Sequence, residues 1–210
     1  LEVRQALQYA IDRDLCIELV AEGLAKPLYT HLPPEDYYYR DFSAAYTYNP
    51  AKAKELLKQA GYPNGCPFTI QIAQLYPFHI RTGEVIIQML NEAGFKAKLQ
   101  VIEWSKWLSD VYGAREYQAT LIGHVGEADP YLLLDRFYQT SNRNYMNVFI
   151  PEIDQLLDAS LVVSEPEKRL PFIHRILKIL VENAVAYWIM EPEEIVILTS
   201  KVSGWVIYPV

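Results

Sequence analysis

Residues 121–131, with the sequence LIGHVGEADPY, combine glycines with ionisable side chains where a strand-like run gives way to a helix-like one. Gly123 and Gly126 permit close approach by a group outside the chain, because glycine has no Cβ. His124 and Glu127 can meet a cation or share a proton with the ligand. In α/β sheets, ligands bind at the carboxyl ends of the strands, where helix N-termini converge. We therefore predict that Gly123, His124, Gly126 and Glu127 bind a ligand.

The same stretch also has a purely structural interpretation, as a tight turn that starts a helix. Asp129 stands directly before Pro130, and proline is favoured at the first position of a helix. An aspartate in that place commonly accepts a hydrogen bond from a backbone N–H group of the first turn. For Asp129 itself we predict helix capping, and it is left out of the ligand-binding set.

The sequence contains no motif that predicts catalysis. Its four histidines (His31, His79, His124 and His174) lie far apart, and no two of them have the helical spacing of a metal-binding pair. It has no glycine-rich phosphate loop, and no serine stands in the Gly-x-Ser-x-Gly context of a nucleophile elbow. We therefore predict a protein that is not an enzyme and that uses no cofactor or metal.

Composition excludes several other classes of protein. The 210 residues are 51% hydrophobic, which is enough for one or two ordinary globular domains. The net charge is -7, and the 19 lysines and arginines are scattered, so we expect no nucleic-acid partner. The longest apolar stretch near the C-terminus, residues 176–190, contains Lys178, Glu182 and Asn183 and is unsuited to a membrane span.

The hydrophobic pattern in the middle of the chain alternates between strand and helix. Period-two alternation predicts strands near residues 68–72, 97–101 and 117–122. Helical spacing predicts a helix over residues 80–93 between the first two strands and a short helix over residues 105–113 before the third. A strand–helix–strand–helix–strand order implies a sheet with right-handed parallel crossovers. The third strand leads into the glycine-rich stretch described above.

The segments on either side contain further helix signals. Two short N-terminal helices are expected, with Asp14 capping the second, and Asn49, Pro50 and Gly61 mark the two ends of a third. Ser164 with Glu167 forms a capping box before a long helix. Further predicted features are helices starting at Pro130 and Pro151, and late strands over residues 185–190 and 195–199 that return to the sheet.

Two residue groups have open interpretations. Residues 26–48 form an extended connection with three consecutive tyrosines, and Tyr37 and Tyr38 are candidate ligand-binding residues because tyrosine offers contact area and a hydroxyl. Surface packing of these tyrosines is an equal alternative. Cys16 and Cys66 can form one disulfide or remain two inert buried thiols, and the second alternative is favoured.

Several segments, taken in order, resemble one protein family. They are VRQALQYAIDRD with GLAKPLYTHLPP, YNPAKAKELLKQAGYPNG, NEAGFKAKLQVIEWSKWL with YQATLIGHVGEADP, and IPEIDQLLDAS with EPEKRLPFIHRILKIL. This order is similar to that of the extracytoplasmic solute-binding proteins of the oligopeptide and dipeptide class, family 5. The resemblance extends over almost the whole chain.

The resemblance implies an architecture. Proteins of this family have two lobes that close on a ligand and deliver it to the membrane permease of an ABC importer. It implies that residues 1–210 are a single ligand-binding lobe, lobe II plus return strands, with the first lobe lying outside this chain. The implied fold class is α/β, a periplasmic-binding-protein-like (type II) lobe with a mixed sheet flanked by helices. The implied location is extracytoplasmic, either in the periplasm or lipid-anchored at the cell surface.

The resemblance also concerns the candidate site. Peptide-binding members have Gly-Trp after the strand and, a few residues later, an Asp that receives the ammonium group of the peptide. Aligned from the strand, Gly123 and His124 take the Gly-Trp position and Glu127 takes that of the Asp, whereas alignment back from Asp129 puts Gly126 there. Because the Trp and the Asp are both replaced, the ligand can be a peptide or a related solute such as an oligosaccharide, an opine or a metal chelate.

Two other functions stay open at this point. One is a ligand-sensing domain of a transcriptional regulator, in which a similar lobe is fused to a DNA-binding domain. The other is a hydrolase on the same scaffold, since a fold can bring together residues that are distant in sequence.

Overall fold

A computed structural model describes residues 1–206 of the chain. Its helices are α1 (Glu2–Ala10), α2 (Arg13–Ala21), α3 (Pro50–Gln59), α4 (Pro77–Glu92), α5 (Trp104–Lys106), α6 (Pro130–Leu134), α7 (Pro151–Leu161) and α8 (Pro166–Glu182). A π-helix (Trp107–Gly113) continues α5, and a 3₁₀ helix (Asp135–Phe137) continues α6. The strands are β1 (Ala25–Pro27), β2 (Pro67–Ala73), β3 (Lys96–Ile102), β4 (Ala119–Thr120) and β5 (Met190–Pro192). The domain predicted over residues 1–210 therefore ends with four residues that lie outside the described part.

The main sheet has the order β3-β2-β4, and β2 pairs in parallel with both neighbours. The parallel crossovers predicted from the strand and helix order are therefore confirmed. The carboxyl ends of β2 and β3 lie side by side, since Gln74 N donates a hydrogen bond to Ile102 O at 2.8 Å. The residues that follow these strands consequently reach the same edge of the sheet.

The third strand is shorter than predicted. Residues 117–122 were expected to pair, but the ladder with β2 is limited to Ala119 and Thr120. Side chains take the place of backbone partners at this point, because Thr69 N donates to Gln118 Oε1 at 2.9 Å. The Thr120 hydroxyl in turn donates to Gln71 O at 2.7 Å.

The prediction of two late strands that return to the main sheet is wrong for the described residues. Only Met190–Pro192 forms a strand, and it pairs antiparallel with β1 in a separate two-stranded sheet. Residues 195–199 are not a strand, and Ile197 is 91% exposed. The ladder ends at Pro192, which has no N–H group to donate.

Two helix caps also differ from the prediction. Asp12, and not Asp14, caps α2 by accepting a hydrogen bond from Leu15 N at 3.1 Å, because Asp12 has the extended backbone of an N-cap residue. The long helix α8 begins one residue later than the capping box requires. Its N-cap residue is Glu165, without a side-chain cap hydrogen bond, and Ser164 precedes it. By contrast, α3 is capped by Asn49 as predicted.

Buried apolar residues form three clusters in the described part. One lies where the main sheet packs against α1, α3 and α4, and one lies around α7 and α8. The third is small and lies at the carboxyl edge of the main sheet, with Trp107 and Tyr145 among its buried members. The third cluster forms the base of the site described below.

Gly83 sets how closely α4 approaches the main sheet. A Cβ at this position would lie 2.4 Å from Ile72 Cδ1 and 3.0 Å from Leu99 Cδ1. Ile72 is fully buried, so its side chain has little room to move. Glycine in the middle of a helix is unfavourable by itself, and here close packing offsets that disadvantage.

Replacing Gly83 by Ala is therefore expected to lower the free energy of unfolding by about 1 to 3 kcal/mol, the range for overpacking of a core. Urea unfolding of the chain measures this change. Ile72→Val removes the Cδ1 methyl group that the new Cβ would meet. The double variant should therefore lose less stability than the sum of the two single losses, and simple additivity would contradict the proposed clash.

Candidate functional site

The segments that leave the three parallel strands enclose a cavity of about 310 Å³. Tyr76 follows β2, Trp104 follows β3, and Gly123 and His124 follow β4. We call this space the aromatic cavity, since five of its lining residues are Tyr76, Trp104, Trp107, Tyr112 and Tyr145. It is open to solvent on the side where Val125 is 76% exposed. The carboxyl edge of a parallel sheet is the usual place for a ligand in such folds.

The π-helix holds one wall of the aromatic cavity. The rings of Trp104 and Trp107 stack, with centroids 5.3 Å apart and planes inclined by 6°. The indole N–H of Trp107 donates to the Thr120 hydroxyl at 2.9 Å and so fixes this wall to β4. The predicted short helix over residues 105–113 is thus present, but with the wider turn that often marks functional sites.

His124 contacts the aromatic cavity with one side of its ring and the protein with the other. Its Nε2 lies 3.0 Å from the hydroxyl of Tyr145, which is buried, and its ring packs edge-on against His31. Desolvation, together with the positive charges of Arg136 and Arg143, lowers the pKa of His124 to about 3. Near neutral pH the ring is therefore uncharged and presents a hydrogen-bonding atom without a positive charge.

Two further histidines lie close to the site. His31 Nδ1 accepts a hydrogen bond from the Trp188 indole at 3.0 Å, so Nε2 carries the proton of the neutral ring. Burial, followed by the neighbouring His124, lowers the pKa of His31 well below its usual value. His79 explains the glycine before His124, because a Cβ at position 123 would lie 3.2 Å from His79 Nε2.

Glu127 lines the aromatic cavity and already faces a cation. Its Oε1 lies 3.7 Å from Arg143 Nη2, and Arg143 Nη1 lies 3.2 Å from Asp135 Oδ1. A partly exposed pair at this distance contributes little to stability, so the carboxylate remains free to exchange partners. Gly126 does not line the aromatic cavity.

Asp129 anchors the end of this loop. It accepts a hydrogen bond from Tyr131 N at 2.8 Å, which confirms the predicted capping of α6. It also forms a bidentate pair with Arg169 of α8, at 2.8 and 3.0 Å. The guanidinium of Arg169 holds the pKa of Asp129 below its usual value. The loop from β4 is thereby tied to the helical layer.

A second cavity, of about 660 Å³, shares His124 and Gly123 with the first and includes Gly126. It is bordered by residues 117–126 on one side and by residues 184–192 on the other. The segment predicted to return to the sheet as a strand thus borders open space along with β4. Three of the four predicted loop residues line each cavity, and Gly123 and His124 line both.

The tyrosine cluster lies elsewhere. Tyr38 is buried in the helical cluster, and its ring lies under the guanidinium of Arg169 at 5.4 Å. Tyr37 is 58% exposed and packs edge-on against Tyr38. Neither lines either of the two cavities. A ligand-binding role for Tyr37 and Tyr38 stays a prediction, and packing accounts for the contacts of Tyr38.

Three further features of the chain concern metal binding, its two cysteines and its apolar helices. No group of three or more His, Cys, Asp or Glu side chains that could hold a metal ion occurs among residues 1–206. Cys16 and Cys66 are buried free thiols, as favoured from the sequence, and burial raises the pKa of Cys16 to about 12. In the same described part of the chain, no helix is both long and apolar enough to cross a membrane.

Comparison with known proteins identifies the family. Residues 1–145 match the family described as bacterial extracellular solute-binding proteins, family 5 middle region. The chain belongs to this family. The resemblance and the periplasmic-binding-protein-like fold class predicted from the sequence are confirmed.

Among its family 5 relatives, Haemophilus influenzae heme-binding protein A is 32% identical over 99% of this chain. The dipeptide-binding protein of Escherichia coli is 27% identical over 99% of it. The structure of DppA from Helicobacter pylori, in complex with the peptide STSA, superimposes with a TM-score of 0.82 and 28% identity over 91% of this chain. The chain spans 39% and 40% of the two sequence relatives and 38% of the DppA chain.

Sequence reasoning missed several residues of this candidate site. Tyr145 lies in a segment predicted to be a polar loop, and its position depends on contacts with Trp107 and Tyr117, which are far from it in sequence. Arg136 could have been found from the sequence, because it stands three residues after Leu133 and beside Phe137 on an apolar helix face. A charge within such a pattern is predicted to have a specific partner or role.

The buried histidines make a pH-dependent prediction. The unfolded chain binds a proton at His31 below about pH 6.5, whereas the folded chain does not, because its pKa is lowered. The free energy of unfolding should therefore be fully retained above pH 6.5 and decrease as the pH falls below it. In His31→Gln, the decrease between pH 7.5 and 5.5 should be smaller, by at most about 1.4 kcal/mol.

Urea unfolding of both proteins at the two pH values measures this difference. Comparing each protein with itself removes the pH-independent cost of the substitution. The charged or titratable neighbours of His31 are the same in both proteins. They are His124, Arg136 and Arg143. An identical pH dependence in the two proteins would show that folding does not lower the pKa of His31.

Proposed function

We propose that this chain is one ligand-binding lobe of a two-lobed solute-binding protein that delivers a peptide or a related solute to the permease of an ABC importer. The observation that carries the proposal is the open aromatic cavity at the carboxyl edge of β2, β3 and β4. A cavity open on one side is suited to a ligand that is covered by a second wall. Family membership and the share of the relatives that this chain spans support the same arrangement.

The domain assignment proposed here is a single lobe over residues 1–210, with the other lobe lying outside this chain. Residues 195–206 support this assignment, because they present apolar side chains such as Ile197 and Trp205 to solvent. A contiguous group of exposed apolar side chains commonly marks a surface that contacts another polypeptide. We further propose an extracytoplasmic location, in agreement with the family description, and a binding role without catalysis.

Gly123, His124, Gly126 and Glu127 are proposed to face the solute. His124 offers a neutral hydrogen-bonding atom, and Gly123 leaves the backbone accessible next to His79. Glu127 is the proposed partner of an ammonium group, which would compete with Arg143 for the carboxylate. The relatives named as peptide-binding make a peptide one candidate solute, and heme-binding protein A adds a large planar one.

Native mass spectrometry of the complete protein, purified without added ligand, tests the function. We expect a retained solute on the complete protein. Isothermal titration with that solute should give clear binding to the complete protein and little or none to residues 1–210 alone. Tight binding by this chain alone would contradict the two-walled site, and turnover of the solute would contradict a binding role without catalysis.

Replacing Glu127 by Gln in the complete protein should weaken the binding of a solute with an ammonium group by about 1 to 3 kcal/mol. The reason is that closure desolvates the ammonium–carboxylate contact. Glu152→Gln is the matched control, because Glu152 is exposed, pairs with Arg175 and lies away from the cavity. Unchanged affinity in Glu127→Gln would remove Glu127 from the site.

A further inference from the structure

Arg136 is the one charged residue among the buried polar residues of the described part. It is 5% exposed, and the other members of that group are Gln8, Thr30, Thr82, Asn144 and Ser160. Arginine is seldom this buried unless a carboxylate or another strong acceptor balances its charge. We therefore expect a partner that balances the charge of Arg136.

Within residues 1–206, Arg136 has no carboxylate partner. Its Nε donates to the neutral carbonyl of Leu133 at 2.8 Å, and it takes part in no salt bridge. Its Nη atoms make no hydrogen bond in this part of the chain, and they are not fully enclosed by protein. They are thus accessible from the aromatic cavity, which Arg136 lines.

The other two arginines of the region are in a different situation. Arg169 is engaged by both oxygens of Asp129, and Arg143 lies between Asp135 and Glu127. Glu127 and Asp135 pair with Arg143 and are not within pairing distance of Arg136, although the charge of Asp135 acts on Arg136 from farther away. Among the described residues, Arg136 is thus the arginine of this region without a carboxylate in direct contact.

The cavity also gives that charge a suitable surrounding. Tyr112 and Tyr145 lie close to Arg136, and burial is the main cause that lowers the pKa of its guanidinium. Aromatic walls reduce the access of water, so a hydrogen bond to a charged group is stronger there than in bulk water. The planar guanidinium fork matches two oxygens of a carboxylate.

We propose that Arg136 is an anion-binding residue of the aromatic cavity and that it receives a carboxylate group of the solute. This inference rests on the proposed function and narrows it to solutes that have a carboxylate next to an apolar or planar group. Together with Glu127 as the partner of an ammonium group, it makes a zwitterionic solute a suitable ligand. The hydrogen bond from Nε to Leu133 positions the guanidinium and leaves the Nη atoms for the ligand.

The test uses indole-3-acetate and its uncharged analogue indole-3-acetamide, which differ in charge and hardly in shape. NMR titration of the complete protein measures both dissociation constants. We expect the acid to bind at least about tenfold more tightly than the amide, as a hydrogen bond to a charged group provides. The acid, and not the amide, should also shift the side-chain N–H signal of Arg136.

Variants separate recognition from structure. Arg136→Gln should reduce the acid-over-amide ratio to below about twofold, and Arg136→Lys should give an intermediate ratio, because lysine keeps the charge without the fork. Arg175→Gln removes the same charge at an exposed position outside the cavity and should keep the full ratio. Should Arg136→Gln fail to fold, Arg136→Lys and the unsubstituted chain still provide the comparison.

Two results would overturn the inference: no preference for the acid in the unsubstituted complete protein, or an unchanged preference in its Arg136→Gln variant. The second result would show that another group of the site recognises the carboxylate. A complete protein that retains a solute without an anionic group, with an affinity unaffected by Arg136→Gln, would also overturn it and leave the proposed function intact. A complete protein that retains no solute from the cell, while it still prefers indole-3-acetate to the amide through Arg136, would overturn the proposed function alone.

Discussion

The parallel pairing of β2 with β3 and β4 is the constraint on which the rest of this structure depends. Parallel neighbours end at the same edge of a sheet, so the residues that follow three strands must meet there. Trp104 and His124, which are 20 positions apart in sequence, become neighbours of one cavity for this reason alone. The hydrogen bond from Trp107 to Thr120 then fixes the aromatic wall to the sheet. Changes in the packing of α4 on β2 at Gly83 would therefore reach the site through the strands.

Within residues 1–206, the site combines neutral imidazoles with one arginine, Arg136, that has no carboxylate in direct contact. His31 and His124 are kept uncharged by burial and by the positive charges beside them, and each makes a hydrogen bond to a buried aromatic residue. Protonation of either histidine would add a cation next to Arg136 and Arg143. Neutral histidines thus allow several polar groups to share a small volume without mutual repulsion. The same arrangement leaves the guanidinium of Arg136 able to pair with an incoming anion.

Local signals made the outline of this fold predictable. Asn49, Pro50 and Gly61 define α3 through interactions within a few residues, and the alternation in residues 68–72 and 97–101 gave β2 and β3. Non-local choices were not predictable in the same way. The length of β4 depends on Gln118 and Thr120, whose side chains replace ladder contacts with β2. A hydrophobic pattern contains no information about such replacements, and the same holds for the late segment that pairs with β1.

The candidate site shows the same division at the level of single residues. The glycine, histidine and glutamate after β4 were found because one short stretch contains them all, whereas Arg136 and Tyr145 come from separate segments. The fold brings Arg136 and Tyr145 close to His124. There, burial and the charge of Arg136 lower the pKa of His124, and the Tyr145 hydroxyl contacts its Nε2. Considered alone, His124 and Glu127 indicate a site for a cation. Arg143 lies between Glu127 and Asp135 and partly neutralises both, while the guanidinium of Arg136 has no carboxylate in direct contact among the described residues, so the cavity is suited to a solute that has both signs of charge.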